Sequence, residues 1–320
     1  MMWNSGPIMH LHSGRSVLTL VVTLWISCST PGAARAAEQT DWTTAEFDDL
    51  LIAAQKSGDT EERRVRGAAA KAEMVRRGPE TLRYLVTKVH YRNIQIRLLL
   101  NELREEFEDD VVLPVFLEGL NSEYDRTRRL CAFFLGKYEA PQHADRVLPL
   151  LDDPEVAGSA VRTLGKWKVQ RAAPGILPFL NDPKERRRIV AVNALKEIGD
   201  HSVVANLMPS LDDDYFTVRE VASEALASMG KEAEGVLLDA LHDAPTRRLR
   251  LIVKTLGVMQ SKRAVRNLRK LLQHEDPGVR GDVVRALRRI DADRAKRWVA
   301  DSGDDVPFVR TGLRESAVDN

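Results

Sequence analysis

The sequence predicts an all-α protein built from about seven to eight successive helix pairs. Three observations carry this. Apolar residues that precede a polar turn recur with a nearly constant period: Val89, Leu120, Leu151, Leu180, Leu211, Leu241 and Leu272 stand 31, 31, 29, 31, 30 and 31 residues apart. A period of this size marks a repeat architecture in which one supersecondary unit is copied along the chain. Within each period the apolar positions follow a helical rhythm rather than strand alternation. Composition agrees: 30% charged residues, 6% aromatics and only 19 Gly and 14 Pro in 320 residues suit Ala/Leu-packed helices, and 43% hydrophobic residues are enough for a packed core.

Before the repeats, residues 1–36 read as a secretory signal peptide. Arg15 precedes an apolar run from Val17 to Ile26, followed by Pro31, Gly32 and the small-residue site Ala34-Arg35-Ala36. A positive end, a short apolar stretch and an A-x-A site are the three parts of such a leader. Cleavage is expected after Ala36, leaving residues 37–320 as one exported solenoid domain, periplasmic or extracellular, with no integral membrane segment. Two other readings of the same segment are an uncleaved anchor and a lipid anchor at Cys28, since Trp25-Ile26-Ser27-Cys28 resembles a bacterial lipoprotein box with Leu24 one place early. The leader holds two basic residues, Arg15 and Arg35, and no acid, so its removal leaves 46 basic against 47 acidic residues and a net charge of −1. That balance argues against a generic nucleic-acid coat. The remaining thiol is Cys131, so no disulfide framework and no thiolate zinc site can be built.

Each repeat divides into two helices. The first ends at the apolar marker, and Pro149, Pro178 and Pro209 stand two places before it, so these three helices are expected to bend alike. The turn that follows carries Asp or Asn, as in Asp152-Asp153-Pro154, Asn181-Asp182-Pro183 and Asp212-Asp213-Asp214, and should cap the second helix. In that helix Val218, Val221, Ala222, Ala225, Leu226 and Met229 fall on one side, and Gly230 should end it. A basic residue recurs eight places after the marker, as Arg97, Arg128, Arg188, Arg219 and Arg280. Between Leu151 and Leu164 two residues are missing and this arginine is lost, which predicts a local irregularity. Residues Thr43 to Gln55 and Asp304 to Asn320 are the expected polar end caps that a repeat stack requires.

The pattern Asp, x, Val-Arg, x, x, Ala, x, x, Ala-Leu, x, x, Met-Gly, seen from Asp214 to Gly230 and again from Asp276 to Ile290, resembles HEAT repeats, and the short period is similar to the phycobilisome-lyase HEAT-like subtype. The resemblance spans residues 80 to 290 well, with weaker echoes at Val65-Arg66 and Val309-Arg310. It implies an α-α superhelix of the HEAT/armadillo type, with second helices lining a concave face. It also implies that the recurrent arginine forms a ladder to turn carboxylates and carbonyls of adjacent units, with Asp153, Asp182 and Asp213 placed as partners.

Three alternate repeats carry arginine clusters: Arg126, Arg128 and Arg129; Arg186, Arg187 and Arg188; Arg247, Arg248 and Arg250. With helix layers roughly 8 to 10 Å apart, these would lie about 20 Å from one another near helix N-termini, which favour anions. They are the candidate partner-binding residues, with Glu220, Glu224, Lys254 and Arg285 as further contact positions on second helices. No G-x-S-x-G, H-E-x-x-H or G-x-G-x-x-G motif occurs. Gly158 to Trp167 has six residues between its glycines and Trp167 where a phosphate loop needs Ser or Thr, and Cys131 stands where other repeats have Ala191 or Ala222, as a core filler. His90, His143, His201, His242 and His274 are spread over different repeats, so no metal and no cofactor are expected. HEAT-like deoxyhypusine hydroxylases carry several facing His-Glu pairs, whereas this sequence has His274-Glu275 alone. The expected function is a non-enzymatic exported scaffold that holds a protein partner. The alternatives are an accessory subunit of a lyase-type or other enzyme complex, and a binder of an anionic polymer.

Overall fold

The computed structural model describes residues 42, 45–55, 60–91 and 93–301. The expected leader with Cys28 and Ala36, and the expected C-terminal cap from Asp304, lie outside the described residues. The chain divides after Tyr138 into two compact units. In both, apolar helix faces meet because a single helix pair cannot cover its own apolar stripe.

The first unit holds α1 (Phe47–Gln55), α2 (Glu61–Arg76), α3 (Pro79–Lys88), α4 (Ile94–Leu103), α5 (Asp109–Gly119) and α6 (Asp125–Leu135). Thr60 and Asn93 cap α2 and α4, their side-chain oxygens accepting from the amides of Arg63 at 3.3 Å and Gln95 at 2.9 Å. Leu50, Met74, Leu82, Leu100, Phe116 and Phe134 form the core. Of the expected N-terminal cap, Phe47–Gln55 form α1, and Arg77 donates to the carbonyls of Trp42 at 2.8 Å and Ala45 at 2.7 Å.

The second unit holds α7 (Ala144–Val147), α8 (Ala157–Lys166), α9 (Ala173–Ile176), α10 (Glu185–Ile198), α11 (Val204–Leu207), α12 (Phe216–Ser228), α13 (Gly230–Ala240), α14 (Thr246–Val258), α15 (Val265–Lys270), α16 (Pro277–Ile290) and α17 (Ala292–Asp301). With α1/α2 as the first pair and α15/α16 as the last, the described residues contain eight helix pairs followed by α17. The three proline-bearing first helices are interrupted alike. They change type: α7, α9 and α11 each pass into a 3-10 segment, at Leu148–Asp152, Leu177–Asn181 and Met208–Asp212, with Pro149, Pro178 or Pro209 as its second residue. Proline lacks the amide that an α-helix needs inside its ladder, and a tighter turn that starts at the proline avoids both the lost bond and the ring clash.

The turn aspartates act one step earlier than expected. Asp153, Asp182 and Asp213 accept from the amides two residues on, Glu155 at 3.0 Å, Lys184 at 2.8 Å and Tyr215 at 2.9 Å, which is an Asx turn rather than a helix N-cap. Ser122 and His274 do the same for Tyr124 at 3.3 Å and Asp276 at 3.0 Å. In α16 alone of these second helices does the aspartate at the cap position itself, Asp276, hold the amide of the first turn, Val279 at 2.8 Å. Gly230 follows α12 with a φ of +67°, as a helix-ending glycine should. The two-residue deletion shortens α8 to 10 residues against 14 in α10.

Within the second unit, second helices of successive repeats run side by side, and α8 approaches α10 as α14 approaches α16, across glycines. A Cβ on Gly165 would lie 2.6 Å from the Ala194 Cα, and one on Gly257 would lie 2.8 Å from the Ala286 Cα. Small residues at this register bring the backbones close enough to shut water out of the seam. Gly257→Ala is therefore expected to destabilise the protein by about 1–3 kcal/mol through overpacking. Gly158→Ala, in a helix with no atom within 4 Å of the new Cβ, should be neutral or stabilising by about 0.5–1 kcal/mol. Thermal unfolding followed by circular dichroism checks both.

Candidate protein-interaction surface

The recurrent arginine begins each second helix one turn above the carbonyls of its own loop. Through Nη1, Arg128 donates to the Ser122 and Glu123 carbonyls at 2.9 and 3.0 Å. Arg188 does so to Asp182 and Pro183 at 2.8 and 3.4 Å, Arg219 to Asp213 and Asp214 at 2.6 and 2.9 Å, and Arg280 to His274 and Glu275 at 2.8 and 3.0 Å. Each therefore closes its own turn, and Arg188 also makes the expected contact to an adjacent repeat. The carbonyls five and six residues back are within one guanidinium span, which in Arg188 leaves Nε and Nη2 to reach a neighbouring turn. Arg188 does both, since its Nε and Nη2 also hold Asp213 of the next repeat at 2.6 and 2.9 Å. Arg97, at the same register, is exposed.

The clusters divide by role. Arg248 donates to Asp212, so the Asp212-Asp213 turn is gripped by Arg188 from the repeat before and Arg248 from the repeat after. Arg187 pairs with Asp182 at 3.2 Å and donates to the Pro154 carbonyl, which serves the turn that lacks its own arginine. Arg250 pairs with Asp282 at 2.7 Å. Arg129 is half-buried beside Arg128. Arg126, Arg186 and Arg247 have no hydrogen bond or ion pair among the described residues, and of these Arg186 and Arg247 are exposed. Lys254 and Glu220 are half-buried and bound to each other, Glu224 faces Lys196 at 3.9 Å, and Arg285 pairs with Asp282, so these contact candidates are largely engaged.

What remains open is a groove of about 510 Å³ along the starts of α12, α14 and α16. Phe216, 65% exposed, forms one wall, with the Arg219 guanidinium 5.7 Å from its ring centre. Arg247 and Leu251 of α14 form the other side, and the Lys254–Glu220 and Arg250–Asp282 pairs close the rest. Phe216 escaped the sequence reading: five residues past the marker, four other repeats place Asp125, Glu185, Thr246 and Pro277, but two place the apolar Ile94 and Val156, so the position gave no clear signal. Cys131 is fully buried and its thiol is pushed up to about 12 by desolvation, so it fills the core and is no nucleophile. Among the described residues no three histidine, cysteine or carboxylate groups gather as metal ligands would, and no helix is long and apolar enough to cross a membrane. The chemistry on offer is recognition: an aromatic face, a cation without a partner and an ordered rim.

Burial by itself would raise the pKa of Asp213, but the Arg188 guanidinium and the Tyr215 amide outweigh it and hold the carboxyl below its usual range. Its contribution to stability is present above the unfolded value near 3.9 and is lost as pH falls through the folded value. Asp213→Asn should cost about 3 kcal/mol at pH 7, since it leaves a largely buried Arg188 without its counter-charge. The difference from wild type should shrink below about pH 4 as the wild-type carboxyl protonates. Urea unfolding of both chains at pH 7 and pH 3 measures this.

Comparison with known proteins fits this architecture. The family model for HEAT repeats matches residues 145–227 and 235–317, more than half of the chain. No curated protein matches it. Among solved structures, the Kap121p mutant D353K/E396K/D438K is 11% identical with a TM-score of 0.51, over 85% of this chain and 34% of that one, a likeness of fold alone. The complex of CpcE and CpcF of phycocyanin lyase from Nostoc sp. PCC7120 is 17% identical with a TM-score of 0.40, over 70% of this chain and 94% of that one. The E. coli protein YibA is 14% identical with a TM-score of 0.44, over 86% and 97%. A stack of helix pairs with 31-residue spacing, closed turns and this family match together place the protein: the chain belongs to the HEAT-repeat family.

Proposed function

We propose that the protein is a non-enzymatic, exported scaffold that holds a protein partner on the face formed by its second helices. The observation that carries this is the groove beside Phe216. An aromatic side chain left 65% exposed next to a guanidinium without a partner is costly to maintain for folding alone, and aromatic residues and arginine are the side chains that contribute most at protein interfaces. A preformed helical groove loses little freedom on binding, which suits a scaffold. Export rests on the leader that ends at Ala34-Arg35-Ala36. The anionic-polymer alternative has less support, because Arg128, Arg187, Arg188, Arg248 and Arg250 are occupied by turn carbonyls and carboxylates.

The arginines that staple turns are poor test sites, since changing them alters the fold. Phe216→Ala and Arg247→Glu touch only the open surface. Affinity capture from the exported fraction should recover a partner with the wild-type chain. The double variant should lose it by about tenfold or more, as expected for removal of a central aromatic anchor, with an unchanged melting temperature. Equal recovery by both chains, or turnover or a bound chromophore in the purified protein alone, would contradict the proposal.

A further inference from the structure

A second groove, of about 560 Å³, lies on the first-helix side of the last repeat, between α15 and α17. Its sequence was not among the arginine clusters because it falls outside their register. Lys262-Arg263-Ala264-Val265-Arg266-Asn267-Leu268-Arg269-Lys270 holds five cations and no acid. The reason all five face outward is that Ala264, Leu268 and Leu272, at four-residue spacing, are taken by the core, at 0, 0 and 4% exposure.

Two of the five are engaged. Arg263 pairs with Glu234 at 2.9 Å, and Arg269 lays its guanidinium over the ring of Trp298, 5.8 Å from the centre. Lys262, Arg266 and Lys270 are exposed and have no hydrogen bond or ion pair among the described residues. This differs from the second-helix face, where most cations have a carboxylate or a carbonyl. In a chain whose repeats otherwise balance their own charge, three like charges repel one another with no carboxylate bound to them among the described residues. Between them the floor is apolar, formed by Val265, Leu272 and Trp298.

The geometry points to this groove as a docking site for an acidic peptide segment in extended conformation. Arg266 and Lys270 are one helical turn apart, about 6 Å along the axis at 1.5 Å per residue. Alternate side chains of an extended strand are about 6.6 Å apart. Carboxylates at every second position of such a strand would therefore meet successive cations, and an apolar side chain can enter the floor beside Trp298. A lipid surface fits less well, because none of the strongly exposed large apolar residues lies in this region and the ring of Trp298 is only half exposed. A single-stranded nucleic acid fits less well, because the one aromatic ring here already has Arg269 over it, and base stacking needs an open ring face.

This goes beyond the scaffold reading and shares with it only the class of ligand. The groove uses α15 and α17 rather than α12 and α14, so either surface can fail its test without the other.

The experiment is fluorescence anisotropy of a labelled peptide, Gly-Glu-Leu-Glu-Leu-Glu-Gly, added to the full chain at low salt and at higher salt. Binding is expected, weakening with salt as charge pairing requires. The Gln-for-Glu peptide and the triple variant K262E/R266E/K270E should each bind about tenfold or more weakly, with the variant's melting temperature unchanged. Should the triple variant melt lower, Lys270→Glu alone serves instead, and it should gain affinity for the matching Lys-for-Glu peptide. The proposal is overturned by equal binding of the Glu and Gln peptides or by a charge-reversed chain that binds as wild type. It is equally overturned if heparin, an oligonucleotide or phosphatidylglycerol vesicles compete at concentrations below the peptide's own, or if the peptide binds only a chain ending at Asp301, which would make the groove's occupant the protein's own C-terminal residues.

Discussion

Among the described residues, the two helices of a pair are joined by a turn whose backbone carbonyls and amides have no helix ladder to satisfy them. One device recurs to meet that need. A polar side chain at the start of the turn accepts the amide two residues on, and an arginine six residues further along donates to two of the turn's carbonyls. Ser122, Asp182, Asp213 and His274 fill the first role, and Arg128, Arg188, Arg219 and Arg280 the second. Once the turn is closed in this way, the angle between first and second helix is set, and the apolar faces meet in the same register from repeat to repeat.

The rest of the architecture depends on that register. Gly165 against Ala194 and Gly257 against Ala286 make the same close contact in two seams, where the partner helices α10 and α16 begin at turns closed by Arg188 and Arg280. The buried hydroxyl pair Ser223–Thr255, at 2.7 Å between α12 and α14, is satisfied by the same alignment, with Thr255 also donating to the Leu251 carbonyl at 2.7 Å. Where the deletion removes an arginine, Arg187 of the following repeat supplies the missing donor at Pro154. The charge balance of the whole chain follows from the device as well: acids in the turn and arginine at the helix start neutralise one another within each repeat.

Fold class was legible in the sequence because apolar period and turn period agree over six intervals from Val89 to Leu272. The direction in which each arginine reaches was not legible. Spacing along the chain locates a guanidinium near both its own turn and the next one, and only the pitch of the helix decides which carbonyls lie within hydrogen-bond range. The prolines had the same limit. Pro149, Pro178 and Pro209 announce a break in the α-helical ladder, but whether the chain bends or tightens depends on what the next residues pack against. Arginine clustering was a partial guide to the surface, since it mixed stapling residues with Arg126, Arg186 and Arg247. Phe216 was not legible because its register position is polar in some repeats and apolar in others, and the Lys262–Lys270 run because it lies outside the recurrent arginine positions.

The division of arginines into those that hold turns and those left for a partner is therefore the central statement about this protein. It is tested most directly by amide hydrogen exchange in the native state on an Arg219→Gln chain. The account predicts faster exchange at Tyr215 and in the first turn of α12, with the amide of Lys184 in the preceding repeat keeping its protection. Unchanged protection at Tyr215 and along α12 would show that the arginine is not what closes the turn, and would contradict the account.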